Sequence, residues 1–227
     1  MKNILANDDN SAVIIFAKMP EPGKVKTRLA SDLGNDLAIE FYKYNAAYIF
    51  EELSQLNKLG IDCYLFYGID NNVSEIKKWV NKNFIYKPQT GGDLGNKMSD
   101  AFQTVFAHGK NKVIIIGTDI PDLSKDILLN AFNQLDNSDF VISPSHDGGY
   151  NFLGMKSFYP EVFQNIKWSS EEVFPKTIRQ IKELGLSIKV EESLIDIDDK
   201  IDLMTWLSEP GIGNVQLKKI MKKLLIN

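Results

Sequence analysis

A chain of 227 residues, 44% hydrophobic and 25% charged, has the material for a sizeable core, and a single domain spanning 1–227 is the expectation. Its 26 Lys and Arg against 30 Asp and Glu give a net charge of −4, so no face is basic enough to neutralise a long phosphate run. Nucleic acid is thereby excluded as the main partner, and a small phosphorylated ligand fits better. One cysteine, Cys63, rules out an internal disulfide, and the two histidines, His108 and His146, lack the partners of a zinc site or a Ser-His-Asp arrangement.

Residues 1–11 are polar and acidic with no basic region leading into a long apolar stretch, which argues against a signal peptide and makes the cytoplasm the expected location. No stretch approaches membrane-spanning length. The first strand is expected at 13–16. It runs directly into Ala17-Lys18-Met19-Pro20-Glu21-Pro22-Gly23-Lys24-Val25-Lys26-Thr27-Arg28-Leu29, where the 11 residues from Lys18 to Arg28 hold four cations and one acid. In an acidic chain such a local excess, opening from a buried strand into a Pro/Gly turn, marks a place to hold phosphate.

The spacing of Leu37, Phe41, Tyr44, Tyr48, Ile49, Leu53 and Leu56 predicts a long helix over 35–59 ending at Gly60, followed by a strand over 61–67 that carries Cys63 as a small buried hydrophobe. A short helix over 74–81 with Ser74 as cap and a short strand over 84–86 come next. The loop Gln89-Thr90-Gly91-Gly92-Asp93-Leu94-Gly95 precedes a helix over 96–107. Lysine and four aliphatics over 112–116 read as a central strand buried on both faces, ending at Gly117-Thr118-Asp119-Ile120-Pro121, with Ser124 capping a helix to Leu135.

Strands over 140–143 and 150–155 flank Asp147-Gly148-Gly149, which reads as a hairpin turn. Ser143, Ser145, His146 and Asp147 stand too close together to form a triad. Ser169 and Glu172 have capping-box spacing before a helix reaching Gly185. A strand over 187–190, the acidic run Asp196-Ile197-Asp198-Asp199, a helix over 200–207, a break at 210–213 and a last amphipathic helix complete the chain. In that last helix Leu217, Ile220, Met221, Leu224 and Leu225 form the apolar face, and Lys218, Lys219, Lys222 and Lys223 a solvated one. Strands alternating with helices from end to end predict a three-layer α/β/α sandwich around a mostly parallel sheet.

Ligands of open α/β sheets collect outside the carboxyl ends of the strands, where Asp119 sits, and a carboxylate there suits Mg²⁺ or Mn²⁺. Capping of its turn is the plainer reading of the same residue. Asp198 is the choice for a second metal ligand. Asp196, on the same side of an extended chain, is its rival; Asp199 reads as a helix cap and Asp202 as a helix-surface residue. Lys18, Gly23, Lys24, Lys26, Thr27 and Arg28 would grip phosphate, with Lys26, Arg28 and Asp119 as the catalytic set. Gly91, Gly92 and Gly95 would let a base or ribose approach the backbone, with Asp93 as hydrogen-bond partner, and Asp147 stands between a ligand-binding and a turn role. Neither the Walker pattern nor the dinucleotide glycine pattern is present.

Taken jointly, the turn from Phe16 to Leu29, Gly91-Gly92-Asp93-Leu94-Gly95, Gly117-Thr118-Asp119-x-Pro121-Asp122-Leu123, Asp147-Gly148-Gly149-Tyr150, Trp168-Ser169-Ser170 and Asp196-Ile197-Asp198-x-x-x-Asp202-Leu203 resemble the DUF2064 family. This is a GT-A-fold, glycosyltransferase-like group related to phospholactate guanylyltransferases and molybdenum-cofactor nucleotidyltransferases. Ser170 and Asp199-Lys200 depart from the family's usual Thr and Thr-Pro. The resemblance implies a nucleotide-diphospho-sugar transferase fold, a nucleotide seated over the first turn, Mg²⁺ at Asp119 and Asp198, and transferase chemistry on an unknown small acceptor. A nucleotide-sugar glycosyltransferase is the first expectation. Nucleotidyl transfer from a nucleoside triphosphate, releasing pyrophosphate, is the second, because a lone Asp in Gly-Thr-Asp is closer to nucleotidyltransferases than to Asp-x-Asp glycosyltransferases. A non-catalytic nucleotide-sensing module ranks below both.

Overall fold

The computed structural model describes residues 10–209 and 214–226; residues 1–9 of the 1–11 leader reading and the break expected at 210–213 lie outside them. Seven strands form one sheet: β1 (Ser11–Ala17), β2 (Asp62–Tyr67), β3 (Ile85–Pro88), β4 (Lys112–Ile116), β5 (Phe140–Pro144), β6 (Tyr150–Met155) and β7 (Ile188–Val190). Their order across the sheet is β3-β2-β1-β4-β6-β5-β7. All run parallel except β6, which pairs antiparallel with both β4 and β5. The expected three-layer sandwich with a mostly parallel sheet is the fold.

Alternation along β1 explains why its whole run is apolar. Val13, Ile15 and Ala17 enter one core layer, and Ala12 and Ile14 the other. The first layer is closed by α2 (Asn35–Asn57), α3 (Val73–Val80) and α5 (Lys125–Gln134), through residues such as Phe50, Leu53, Ile76 and Phe132. The second is closed by α4 (Leu94–Ala107), a 3₁₀ turn at Pro160–Phe163 and α6 (Val173–Glu183), through Phe102, Phe163 and Ile181. A third cluster joins Leu29 of α1 (Thr27–Leu33) and Phe41 to α7 (Lys200–Ser208) and α8 (Val215–Leu224), around the fully buried Trp206. Asp122 latches this corner: both its carboxylate oxygens accept from Trp206 Nε1, at 2.9 and 3.0 Å, and one accepts from Asn214 N.

Several local expectations change. The turn after β1 is not loop throughout, because α1 begins at Thr27 with Lys26 as its N-cap. On α2, Phe41, Ile49, Leu53 and Leu56 of the expected stripe are buried, but Tyr44 faces outward and Tyr42 inward. Asn72, not Ser74, caps α3: the helix starts at Val73, one residue earlier than expected, so Asn72 stands at the N-cap and its side chain accepts the orphan Ser74 N–H. The Ser169–Glu172 box does not form; Glu172 precedes α6 with no side-chain cap, and Ser169 adopts φ 60°. Lys218 leaves the solvated face of α8, with its ammonium 5.0 Å above the Trp206 ring and donating to Glu209 O. The hairpin reading of Asp147-Gly148-Gly149 holds, as does the Ser124 cap.

Candidate functional site

From β1 the chain works outward through β2 and β3, then returns to β4 on the other side of β1. Strand order therefore reverses between β1 and β4, and the crevice outside their carboxyl ends is where an open sheet offers a ligand cleft. Lys26 follows β1, Asp119 follows β4, Asp147 follows β5, and Asp196 and Asp198 follow β7, so one end of the sheet gathers all five.

Lys26 Nζ lies 2.7 Å from Asp119 Oδ1 and 3.1 Å from Asp198 Oδ1, with only 3% of its side chain exposed. Burial alone would push this ammonium down; the two carboxylates more than reverse that and hold it above the usual lysine range. Its backbone takes the left-handed conformation, φ 48° and ψ 45°, which a lysine adopts only when its surroundings over-determine it. Arg28 approaches Asp198 at 3.9 Å from a largely exposed position. Lys26, Arg28, Asp119 and Asp198, all of which the sequence pointed to, are thus linked by one chain of ion pairs.

The four aspartates after β7 divide by role. Asp199 Oδ1 accepts from Ile201 N and Asp202 N, while Asp202 Oδ2 accepts from Asp198 N and Asp199 N, a reciprocal capping box at the start of α7. Asp199 caps as expected; Asp202 is no mere surface residue. Ile197 is buried, and its N–H donates to Asp119 O at 3.2 Å. The alternation sends Asp196 and Asp198 to the opposite side. There each offers an oxygen within 4.8 Å of one from Asp147. Burial, with the neighbouring Asp147 and Asp198 charges, pushes the Asp196 carboxyl up to about 6. Three crowded carboxylates are a hard-oxygen donor set that a divalent cation satisfies, so these residues fit Mg²⁺ or Mn²⁺.

Asp147 takes the turn role and also stands in the acidic group. Its Oδ1 accepts from Gly149 N at 3.0 Å and from Ser145 Oγ, closing the hairpin, while its carboxylate joins the acidic group. Ser143 Oγ donates to Glu192 O, and Asn151 Oδ1 accepts from Leu194 N, which pins the approach to Asp196 onto β5 and β6.

The remaining candidates are placed differently. Lys24 forms an exposed pair with Glu21, at 2.6 Å. Lys18, Gly23 and Thr27 are exposed, with Gly23 at φ +72°. Asp93 caps α4 by accepting from Asn96 N, so its carboxylate is engaged locally, and Gly92, at φ +95°, sits in the turn before it. Gly95 is buried under Trp168, and a Cβ there would lie 2.1 Å from the indole nitrogen, so what approaches this glycine is an aromatic ring of the chain itself. Gly148 makes the same accommodation for the Glu171 backbone. Tyr42, Asn45 and Asn151 escaped the sequence reading, and Ser143 was weighed there only as a triad member; the one available signal was a lone asparagine on the apolar face of α2.

The family described as "Uncharacterized protein conserved in bacteria (DUF2064)" matches residues 52–170. The crystal structure of a protein from Desulfovibrio desulfuricans G20, provisionally named a nucleotide-diphospho-sugar transferase, is 32% identical and superposes with a TM-score of 0.82 over 88% of this chain and 87% of that one. A 2-phospho-L-lactate guanylyltransferase of Methanocaldococcus vulcanius is 25% identical over 145 residues, which cover 64% of this chain and 62% of the relative's length. The 4-diphosphocytidyl-2C-methyl-D-erythritol synthase of Anaerococcus prevotii shares the fold, at 12% identity and a TM-score of 0.59, over 92% of this chain and 100% of its own. By its matched span and by the motifs that build the cleft, the chain belongs to the DUF2064 family.

Proposed function

We propose that this protein is a divalent-metal-dependent transferase that takes a nucleotide-activated donor, first of all a nucleotide sugar, and passes its group to a small acceptor. The observation that carries the reading is Lys26, a buried ammonium between Asp119 and Asp198, in the crevice where strand order reverses and beside two more carboxylates. Mg²⁺ or Mn²⁺, when bound, would supply Lewis-acid stabilisation of the leaving diphosphate. Asp119 and Asp198 are the proposed ligands, with Asp147 and Asp196 offering further oxygens around Asp198.

The chain's own residues do the rest. Lys26 and Arg28 set fixed positive charge where phosphate oxygens would lie, and preorganised charge of this kind stabilises a departing diphosphate without a covalent nucleophile. Ile197 N and the Asp199–Asp202 box hold the acidic segment in place, so the carboxylates need not reorganise during the reaction. Among the described residues no helix is long and apolar enough to cross a membrane. The reading places the protein in the cytoplasm with its donor.

Nucleotidyl transfer from a nucleoside triphosphate is the second reading, favoured by the lone Asp119 in Gly117-Thr118-Asp119 and by the guanylyltransferase relative. The test is a panel of nucleoside triphosphates and nucleotide sugars, with and without Mg²⁺ or Mn²⁺, followed by product analysis. Nucleoside diphosphate identifies the first reading, pyrophosphate the second, and tight binding without turnover a sensing module. Asp119→Asn is expected to abolish the metal-dependent part of binding with the fold intact; if instead Asp196→Asn does so and Asp119→Asn does not, the metal belongs to the Asp147, Asp196 and Asp198 group.

A further inference from the structure

Where β1 and β4 part to open the crevice, main-chain groups lose the ladder partners they had inside the sheet, and buried N–H and C=O groups left unpaired are costly. Two side chains of α2 supply partners on both sides of the gap. The Tyr42 hydroxyl accepts from Lys18 N at 2.9 Å and donates to Lys18 O at 2.8 Å, just beyond β1. Thr118 Oγ1, beyond β4, donates to the same hydroxyl at 3.3 Å. One helical turn on, Asn45 Nδ2 donates to Thr118 O at 2.8 Å. Tyr42 is 3% exposed, Thr118 3% and Asn45 0%, so no bulk water competes for these contacts. Burial pushes the Tyr42 phenol well above its ordinary range, which keeps it a neutral donor throughout the working pH range.

We infer that Tyr42 and Asn45 are positioning residues that set the separation between the Lys26 turn and Asp119. Residues i and i+3 share a helix face, so α2 acts as a rigid bracket with one arm on the main chain ahead of the Lys26 turn and both arms on the residue next to Asp119. Packing holds the bracket from behind: Tyr42 stacks on Trp79 at 6.0 Å and lies in a cluster with Val25 and Ile39, and Val25 is the residue before Lys26. The Asn45 Oδ1 atom, buried and without a partner among the described residues, shows that this asparagine is not there to satisfy itself. An apolar residue would cost less at that position unless the bond to Thr118 O were needed. The inference rests on the site reading above, since it assigns the bracket to the cleft that would take a metal-bound diphosphate.

The experiment uses inorganic pyrophosphate with Mn²⁺ as the probe and follows it by calorimetry, beside Mn²⁺ alone. Tyr42→Phe keeps the ring and removes only the hydroxyl. It should weaken Mn-pyrophosphate binding about tenfold through the loss of the hydroxyl's three hydrogen bonds, which fix geometry at a distance from the ligand, while Mn²⁺ alone binds within about twofold of wild type. Asn45→Ala should behave alike, and Thr118→Ser, which keeps the hydroxyl, should retain wild-type binding. If Tyr42→Phe does not fold, Thr118→Val carries the same prediction with the same sign. Equal weakening of both probes, or unchanged pyrophosphate binding in a folded Tyr42→Phe, would overturn the inference. Asp198→Asn is the separate control: if it leaves both probes untouched, the site reading itself has failed, whatever the α2 variants do.

Discussion

The two halves of the turn after β1 carry the same kind of charge and put it to different uses. Lys24, 65% exposed at its side chain, closes a short-range pair with Glu21, three residues earlier. Lys26 is two residues further on and nearly sealed from solvent, gripped by acids that arrive from beyond β4 and β7. The difference is made by Val25, a buried residue that drives the chain inward, and by the left-handed backbone at Lys26 that starts α1. A local cation count marks such a turn without saying which cation matters; the partner's distance along the chain does.

Removing the inner cation is the strongest way to break this comparison. Lys26→Ala leaves Asp119 and Asp198 facing each other without their counter-charge and should lower the transfer rate by about 100-fold or more, a loss typical of deleting one preorganised electrostatic contact. Initial rates on the donor that the panel identifies will check this; a folded variant within threefold of wild type would remove Lys26 from the mechanism.

Next comes Asp196, which crowds Asp198, a partner of Lys26 in that contact. Because the Asp196 carboxyl is pushed up to about 6 from 3.8, the folded chain binds its proton more tightly than the unfolded chain does. Stability should therefore fall as pH rises through that interval, and the cost is fully present above it. Asp196→Asn should flatten this slope in metal-free buffer and raise stability at neutral pH by about 1–2 kcal/mol, allowing for solvent screening. Urea unfolding at acid and neutral pH measures it, and parallel curves for variant and wild type would contradict the burial and crowding described.

A smaller effect is expected at Arg28, exposed yet close to Asp198. Arg28→Ala should raise the KM for the donor by about three- to tenfold, as the loss of one charge-assisted contact to phosphate would, with kcat little changed. A kcat loss equal to that of Lys26→Ala would instead give both cations one role. Lys24→Ala sharpens the comparison by doing least: rates and donor affinity should stay within about twofold of wild type, since exposed pairs contribute little.

Legibility in the sequence followed the range of the interaction. β1 and β4 could be read from their unbroken aliphatic runs, because a strand buried on both faces admits little else, and the Ser124 cap from a polar residue just ahead of an apolar period. The Ser169–Glu172 box failed on equally good spacing. The segment leading into α6 is committed elsewhere, with Trp168 lying on Gly95 and the Glu171 backbone on Gly148, and those approaches override a local cap. Glycines in three motifs look alike on paper, yet Gly23 has open space around it while Gly95 and Gly148 are required by another part of the chain.

At the candidate site the division is the same. Residue chemistry alone determined that this chain is an α/β sandwich with a cationic turn, an aspartate at the end of a central strand and an acidic run near its end, since composition and period suffice for such statements. Only the tertiary structure drew Asp202 into a capping box with Asp199, set Asp147 beside Asp196 and Asp198, and brought Tyr42 and Asn45 onto the main chain at Lys18 and Thr118. Those assignments depend on distances between segments far apart in the chain. They are settled by where strand order reverses and by which buried polar groups must find partners there, and no local pattern encodes either.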